Sequence, residues 1–309
     1  MKKFLINITC FCVLLIVVDR CMGGICDFLR ENAKGGSTKM QYYIANESVD
    51  DVVIFGSSRA NHHYVPQMIE DSLGLTCFNM GQDGNGIVLM YGRYKMLLER
   101  YNPKLIIYDI ESFFDFSTNY DNFRYLDKLK EFYDKECIRD EFDDLSGWQE
   151  RMKMTSKMYR NNSKVMAIVG DNVLHRKLNK GYIPLYGVVT DSIKYEYEVV
   201  DSIEWSLDSV KLSLFERFVC DVKNREIPLA MFVSSAFAKS ARVDYIEAEK
   251  ICAKYDVPFY YLMEMDGIAD DCAMFQDRIH MNNTGAEKYT REIIPLLRDA
   301  LEGNNKLFP

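Results

Sequence analysis

Asp51-Val52-Val53-Ile54-Phe55-Gly56-Ser57-Ser58-Arg59 is the stretch that decides how this chain is read. Three β-branched residues and a phenylalanine in a row, stopped by glycine, predict a short buried strand that ends in a sharp turn delivering Ser58. Downstream the pattern alternates. A helical pattern covers about Tyr64 to Leu73 and a second strand Thr76 to Met80. A glycine-rich turn follows at Gly81, Gly84 and Gly86. An amphipathic helix then runs from Ile87 to about Tyr101, where Pro103 stops it, and Leu105 to Ile110 makes an apolar third strand. Strand, helix, strand, helix, strand within about sixty residues implies a parallel sheet with right-handed crossovers.

Beyond Phe113 the rhythm breaks. Tyrosine- and charge-rich helical stretches around Tyr125 to Cys137 and Gly147 to Tyr159 read as a helical insertion at about 113–202. The alternation resumes with a helix near Leu207 to Lys223, a strand at Pro228 to Val233, a helix at Val243 to Tyr255, a strand at Pro258 to Leu262 and a last helix at Gly285 to Leu301. The expected fold class is α/β: a three-layer, flavodoxin-like parallel sheet of about five strands with the insertion after strand three. Ligands of such sheets sit at the carboxyl ends of the strands.

The 309 residues, 48% hydrophobic and 27% charged, suffice for one substantial core, so residues 23–309 are expected to form a single domain. A net charge of −8 without a lysine and arginine stripe argues against nucleic acid as a partner. Lys2 and Lys3 precede an apolar run from Phe4 to Val18 that Asp19 and Arg20 close, the pattern of an export signal in residues 1–22. A cleaved signal peptide and a retained membrane anchor through residues 4–18 both fit, since roughly 22 Å of helix is short for a bilayer core. The protein is therefore expected outside the cytoplasm. Seven of the nine cysteines lie beyond the apolar run, an odd number that indicates no disulfide framework, and Cys77, Cys220 and Cys252 read as small buried hydrophobes. No C-x-x-C pair suggests zinc, and no cofactor or metal is called for.

Three segments fall at strand ends. Gly56-Ser57-Ser58-Arg59 follows strand one, where a serine hydroxyl faces the cleft and backbone N–H groups could meet an oxyanion. Asp277-Arg278-Ile279-His280 precedes the last helix. Three residues of separation on a turn let the Asp277 carboxylate hold one imidazole nitrogen of His280 and leave the other free to take a serine proton. Thr284 with Glu287 matches a capping box that would start the helix after this loop. Asn79-Met80-Gly81-Gln82-Asp83-Gly84 follows strand two and offers the Gly84 N–H as a second oxyanion donor. Its glycine spacing is not that of a dinucleotide fingerprint. His62 and His63, on the chain leaving Ser58, are expected to border the cleft or face solvent, and His175 to lie at the surface. Arg59, Asn85 and Glu111 are the candidate substrate-binding side chains.

Gly-x-Ser after strand one, Asn-x-Gly-x-x-Gly after strand two and Asp-x-x-His before the last helix together resemble the SGNH, or GDSL-like, hydrolase family over roughly Asp51 to Leu301. The resemblance implies Ser58 as nucleophile, His280 as base, Asp277 as its orienter, and the N–H groups of Ser58 and Gly84 as oxyanion donors. It departs at strand three, where the family's Gly-x-Asn-Asp is replaced by Tyr108-Asp109-Ile110-Glu111. The family's asparagine donor is missing there, and Asn85 or Asn61 is a candidate substitute. An α/β-hydrolase is disfavoured because one strand precedes Ser58 and only three residues separate Asp277 from His280. The expected activity is that of a serine esterase or O-acyltransferase working through an acyl-Ser58 intermediate, with acylated carbohydrate of the cell envelope or another ester as substrate. The alternative is a catalytically weak binding or scaffold component of a glycan-modifying complex.

Overall fold

The computed structural model describes residues 1–118, 121–189, 206–237 and 242–303. The chain divides into two compact units, one of Met1–Ser48 with Asn122–Leu178, the other of Val49–Asp121 with Asn179–Pro309.

The second unit is built on five parallel strands: β1 (Val52–Gly56), β2 (Cys77–Asn79), β3 (Leu105–Asp109), β4 (Leu229–Val233) and β5 (Phe259–Tyr261). Their order is β2-β1-β3-β4-β5, the flavodoxin-like order, with helices on both faces. Every residue of β1, β3 and β4 is buried, which is why these strands read as continuous apolar runs rather than alternating ones. Successive side chains still point to opposite faces. Val52, Ile54, Leu105, Ile107, Ala230 and Phe232 pack with Tyr64, Ile69, Tyr289, Ile293 and Leu297 from the helices Pro66–Leu73 and Asn283–Leu301 and the chain before them. On the other face Phe55 and Tyr108 meet Phe218 of the helix Ser209–Asn224 at ring-centroid distances of 6.2 and 5.5 Å, beside Tyr94 of the helix Ile87–Leu98.

Register places Gly56 opposite Asp109. Gly56 has φ +139°, and a Cβ there would lie 2.4 Å from the Asp109 carbonyl oxygen and 2.9 Å from the Ala60 Cβ. Glycine is therefore required for the chain to leave β1 abruptly. It enters a short helix, Ser58–His63, which carries His62 and His63. This helix stops before Pro66, which forces Val65 to extended backbone and opens the next helix. The expected capping box is also corrected. The last helix starts at Asn283, and its cap is Asn282, whose side-chain oxygen accepts from the Gly285 N–H at 3.0 Å, so Thr284 lies inside the first turn. Asn282 is held there by donating to the carbonyls of Gly187 and Ala273 at 2.9 and 2.7 Å. The helix expected over Val243 to Tyr255 is a 3₁₀ turn, Arg242–Tyr245, followed by Ile246–Lys254.

The first unit is helical. Its N-terminal helix, Lys2–Glu31, contains an 18-residue window of mean hydropathy 2.1 with none of it buried, compatible with a signal sequence or a membrane anchor. From Asp19 onward the same helix is packed. The Asp19 carboxylate accepts from the Ser156 hydroxyl at 2.5 Å and from the N–H groups of Lys157 and Met158 at 3.0 Å, while Arg30 pairs with buried Glu131 at 2.8 Å. Residues 122–178 of the expected insertion belong to this unit, and its positions 119–120 and 190–202 lie outside the described residues.

Replacing Gly56 by alanine is expected to destabilise the protein by about 1–3 kcal/mol through backbone strain, read as a lowered midpoint in chemical denaturation.

Candidate active site at the end of β1

Ser58 opens the short helix after β1, 8% exposed. Its hydroxyl lies 2.8 Å from Nε2 of His280, and Nδ1 of His280 lies 2.9 and 3.0 Å from the two carboxylate oxygens of Asp277. A carboxylate only accepts, so Nδ1 carries the hydrogen and Nε2 presents its lone pair to the serine. Asp277 also accepts from the N–H groups of Ile279 and His280, both at 2.9 Å, which folds the Asp-x-x-His segment into a closed turn. Partial burial works against the Asp277 charge, but the hydrogen bonds from the His280 ring and from these backbone groups outweigh it and lower its pKa. The structure thus brings Ser58, His280 and Asp277 into one hydrogen-bonded line.

The turn after β2 lies against the same helix. The Gln82 N–H donates to the Gly56 carbonyl at 3.1 Å, and Asn79 donates from its amide to the Ala60 carbonyl at 2.6 Å while accepting from the Gly81 N–H at 3.0 Å. Buried Arg93 donates to the carbonyls of Met80 and Gly81 and to Gln82. Gly84 is half-buried with φ +66°. Neither asparagine considered as a substitute oxyanion donor is idle: Asn61 donates to the Asp83 carboxylate at 2.9 Å and Asn85 to the Asp83 carbonyl at 2.7 Å. Both fasten the turn.

Arg59 requires a correction. It is 2% exposed and points into the sheet ends rather than the cleft, so it is not placed to contact a substrate. Its guanidinium donates to the carbonyls of Ile110 and Ser234 and to the Tyr245 hydroxyl, and its Nε lies 2.6 Å from the Glu111 carboxylate. Glu111, expected as a substrate-binding residue, is committed to this pair, with burial raising its pKa. Asp109 is wholly buried behind it, 3.9 Å from the same guanidinium, its pKa also raised by burial. One arginine therefore serves both carboxylates at the end of β3.

The two histidines after Ser58 are neither solvent-facing nor idle. His63 is fully buried. Its Nε2 accepts from the Met281 N–H at 3.0 Å, so its Nδ1 carries the hydrogen and donates to the Ser234 hydroxyl at 2.9 Å. It ties the His280 loop to the end of β4. Burial first, then the neighbouring His280 ring and Arg59 guanidinium, hold its pKa well below the usual 6.5. His62 meets Asp83 and Ile183, and its ring stands edge-on to that of His280 at 5.3 Å. Their i+4 and i+5 spacing from Ser58 was the only sequence signal for either. His175 is exposed, at the end of the helix Val165–Leu174.

Among the described residues no cluster of three or more histidine, cysteine or acidic side chains could hold a metal ion. No protein-family model and no curated protein matches the chain. Among solved structures it is similar to an acetyl xylan esterase, AlAXEase, at 12% identity and a TM-score of 0.40, over 80% of this chain and 99% of that one.

The neutral state of His63 sets a pH dependence. Below about 6.5 the unfolded chain binds a proton there that the native state refuses, so stability falls as pH drops, by up to ~1.4 kcal/mol per pH unit from this group. Urea denaturation of the wild type across this range is expected to show the slope, and His63→Gln to reduce it.

Proposed function

We propose that this protein transfers acyl groups from ester substrates through a covalent acyl-Ser58 intermediate, as an esterase or an O-acyltransferase of SGNH type. The observation that carries the reading is the 2.8 Å contact between the Ser58 hydroxyl and a His280 nitrogen whose tautomer Asp277 dictates. His280 Nε2 takes the hydroxyl proton as Ser58 Oγ bonds to the ester carbon. The resulting imidazolium, stabilised by Asp277, returns that proton to the departing alcohol oxygen as its bond to carbon breaks. Water, or the hydroxyl of an acceptor, then reverses the sequence and frees Ser58. The backbone N–H groups of Ser58 and Gly84 serve as oxyanion donors, with Asn85 bordering the substrate.

The substrate class follows from location, with acylated glycans outside the cytoplasm as the natural esters there. We read Lys2–Glu31 as a retained anchor rather than a cleaved signal, with Lys2 and Lys3 on the inner side. Cleavage near Gly23 and Gly24 would remove Asp19, which accepts three hydrogen bonds at the start of the helix Lys157–Asn161. A Cβ on Gly23 would lie 2.2 Å from the Lys157 Cβ, so this part of the helix is packed tightly into the first unit. The replaced strand-three block favours the second reading, a weak catalyst that binds glycans within a larger assembly.

A serine-directed fluorophosphonate probe decides between the two. Labelling of the wild type at Ser58, abolished in Ser58→Ala and reduced at least ~10³-fold in His280→Ala, is expected of the enzyme, and a folded protein that stays unlabelled belongs to the binding reading. Intact mass of the protein extracted from membranes is expected to include residues 1–22. A soluble mature form beginning near Gly24 contradicts the anchor.

A further inference from the structure

His62 and Asp83 are the charged pair that the acyl-transfer chemistry leaves unused. Asp83 precedes Gly84 directly, and its carboxylate oxygen lies 2.9 Å from the Asn61 amide nitrogen and 3.3 Å from His62 Nε2, both on the helix that Ser58 opens. On its other side His62 Nδ1 lies 2.7 Å from the Ile183 carbonyl oxygen. A carbonyl oxygen only accepts, so Nδ1 carries a hydrogen. Nε2 faces a carboxylate and is attracted to it only when it carries one too. The ring is 5% exposed and has an acceptor at each nitrogen, which is the environment of an imidazolium.

We propose that His62 and Asp83 form a charged clasp that holds the Gly81–Gly86 turn, and with it the Gly84 N–H, against the nucleophile's helix, making His62 a positioning residue for the oxyanion pocket. The proposal rests on the serine acyl-transfer reading. It answers a deficit at the same site: strand three contributes no asparagine, and the amides of Asn61 and Asn85 are spent on the turn itself, so the placement of the remaining backbone donors matters more.

The groups facing His62 are Asp83 from the turn after β2, Asp277 and His280 from the loop before the last helix, and His63 beside it on its own helix. Burial disfavours its charge, but the hydrogen bond to Asp83, the Ile183 carbonyl and the carboxylates of Asp83 and Asp277 outweigh it, and its pKa is raised. The charged clasp is therefore intact at low pH and is lost as pH rises through that raised value, when a lone pair comes to face the carboxylate. His280 acts as base only when neutral, so activity requires one histidine deprotonated and its neighbour protonated. Loss of activity on the alkaline side is therefore assigned to His62.

The test compares pH profiles of kcat on a small acetyl ester for the full-length wild type and His62→Gln, with kcat and KM also measured for His62→Ala. Glutamine keeps a neutral donor without a titration, so the alkaline limb attributed to His62 is expected to vanish in His62→Gln while the acid limb stays. His62→Ala is expected to lower kcat about 10–100-fold with KM changed less than about threefold, the signature of misplacement rather than lost binding. A His62→Gln profile superimposable on the wild type overturns the clasp. Histidine NMR titration supplies a readout that needs no turnover: the His62 resonance titrates above the ordinary 6.5 in wild type and lower in Asp83→Asn, and an unchanged value overturns the clasp. Failure of the serine reading would show separately, as absence of fluorophosphonate labelling at Ser58.

Discussion

The parallel pairing of β1 with β3 is the constraint on which the site depends. With β2 on one flank of β1 and β3 on the other, the connections leaving β1 and β3 diverge to opposite faces of the sheet, and a crevice opens above their carboxyl ends. Register puts Gly56 level with Asp109, so the only exit from β1 is a backbone conformation that a side chain would obstruct. That exit places Ser58 at the carboxyl end of β1, at the start of the helix Ser58–His63. His280 reaches it from 222 residues away because the Asn282 cap and the His63 bond to the Met281 N–H hold the chain immediately after it.

The same geometry explains why the strand-three end tolerates two acidic residues. A carboxylate buried without a counter-charge is strongly disfavoured. Arg59 supplies the counter-charge from the residue next to Ser58, and it also binds the chain leaving β3 and β4 through Ile110 and Ser234. The two carboxylates thus share one buried cation, which lies 2.6 Å from Glu111 and 3.9 Å from Asp109.

How legible was this in the residues? The strands were readable because a parallel strand buried on both faces must be apolar without interruption, as Val52–Phe55 and Leu105–Ile107 are. Pairing Asp277 with His280 was readable because a turn of that length closes on itself. The roles of Arg59 and Asn282 were not. Asn282, Asn283 and Thr284 are all competent caps, and the choice fell to Asn282 because the distant carbonyls of Gly187 and Ala273 hold its amide. Arg59 looked like a cleft residue because its partners at positions 110, 111, 234 and 245 are assembled only by the sheet.

The three histidines at the site make the same point chemically. Sequence presents three identical side chains, and what distinguishes them is whether each nitrogen faces a donor or an acceptor. His63 has a backbone N–H aimed at Nε2, which a protonated ring could not accept, so it is locked neutral and structural. His62 has oxygen acceptors at both nitrogens and is drawn toward its charged form. His280 has a carboxylate at Nδ1 and a hydroxyl at Nε2, and a hydroxyl can either donate or accept. Only that third arrangement lets a proton arrive and leave without breaking the site, because the hydroxyl partner can exchange roles with the ring while Asp277 keeps it oriented. The roles proposed for them, base, clasp and brace, are therefore separated by the chemistry of their neighbours, and those neighbours are brought together by the order of the strands.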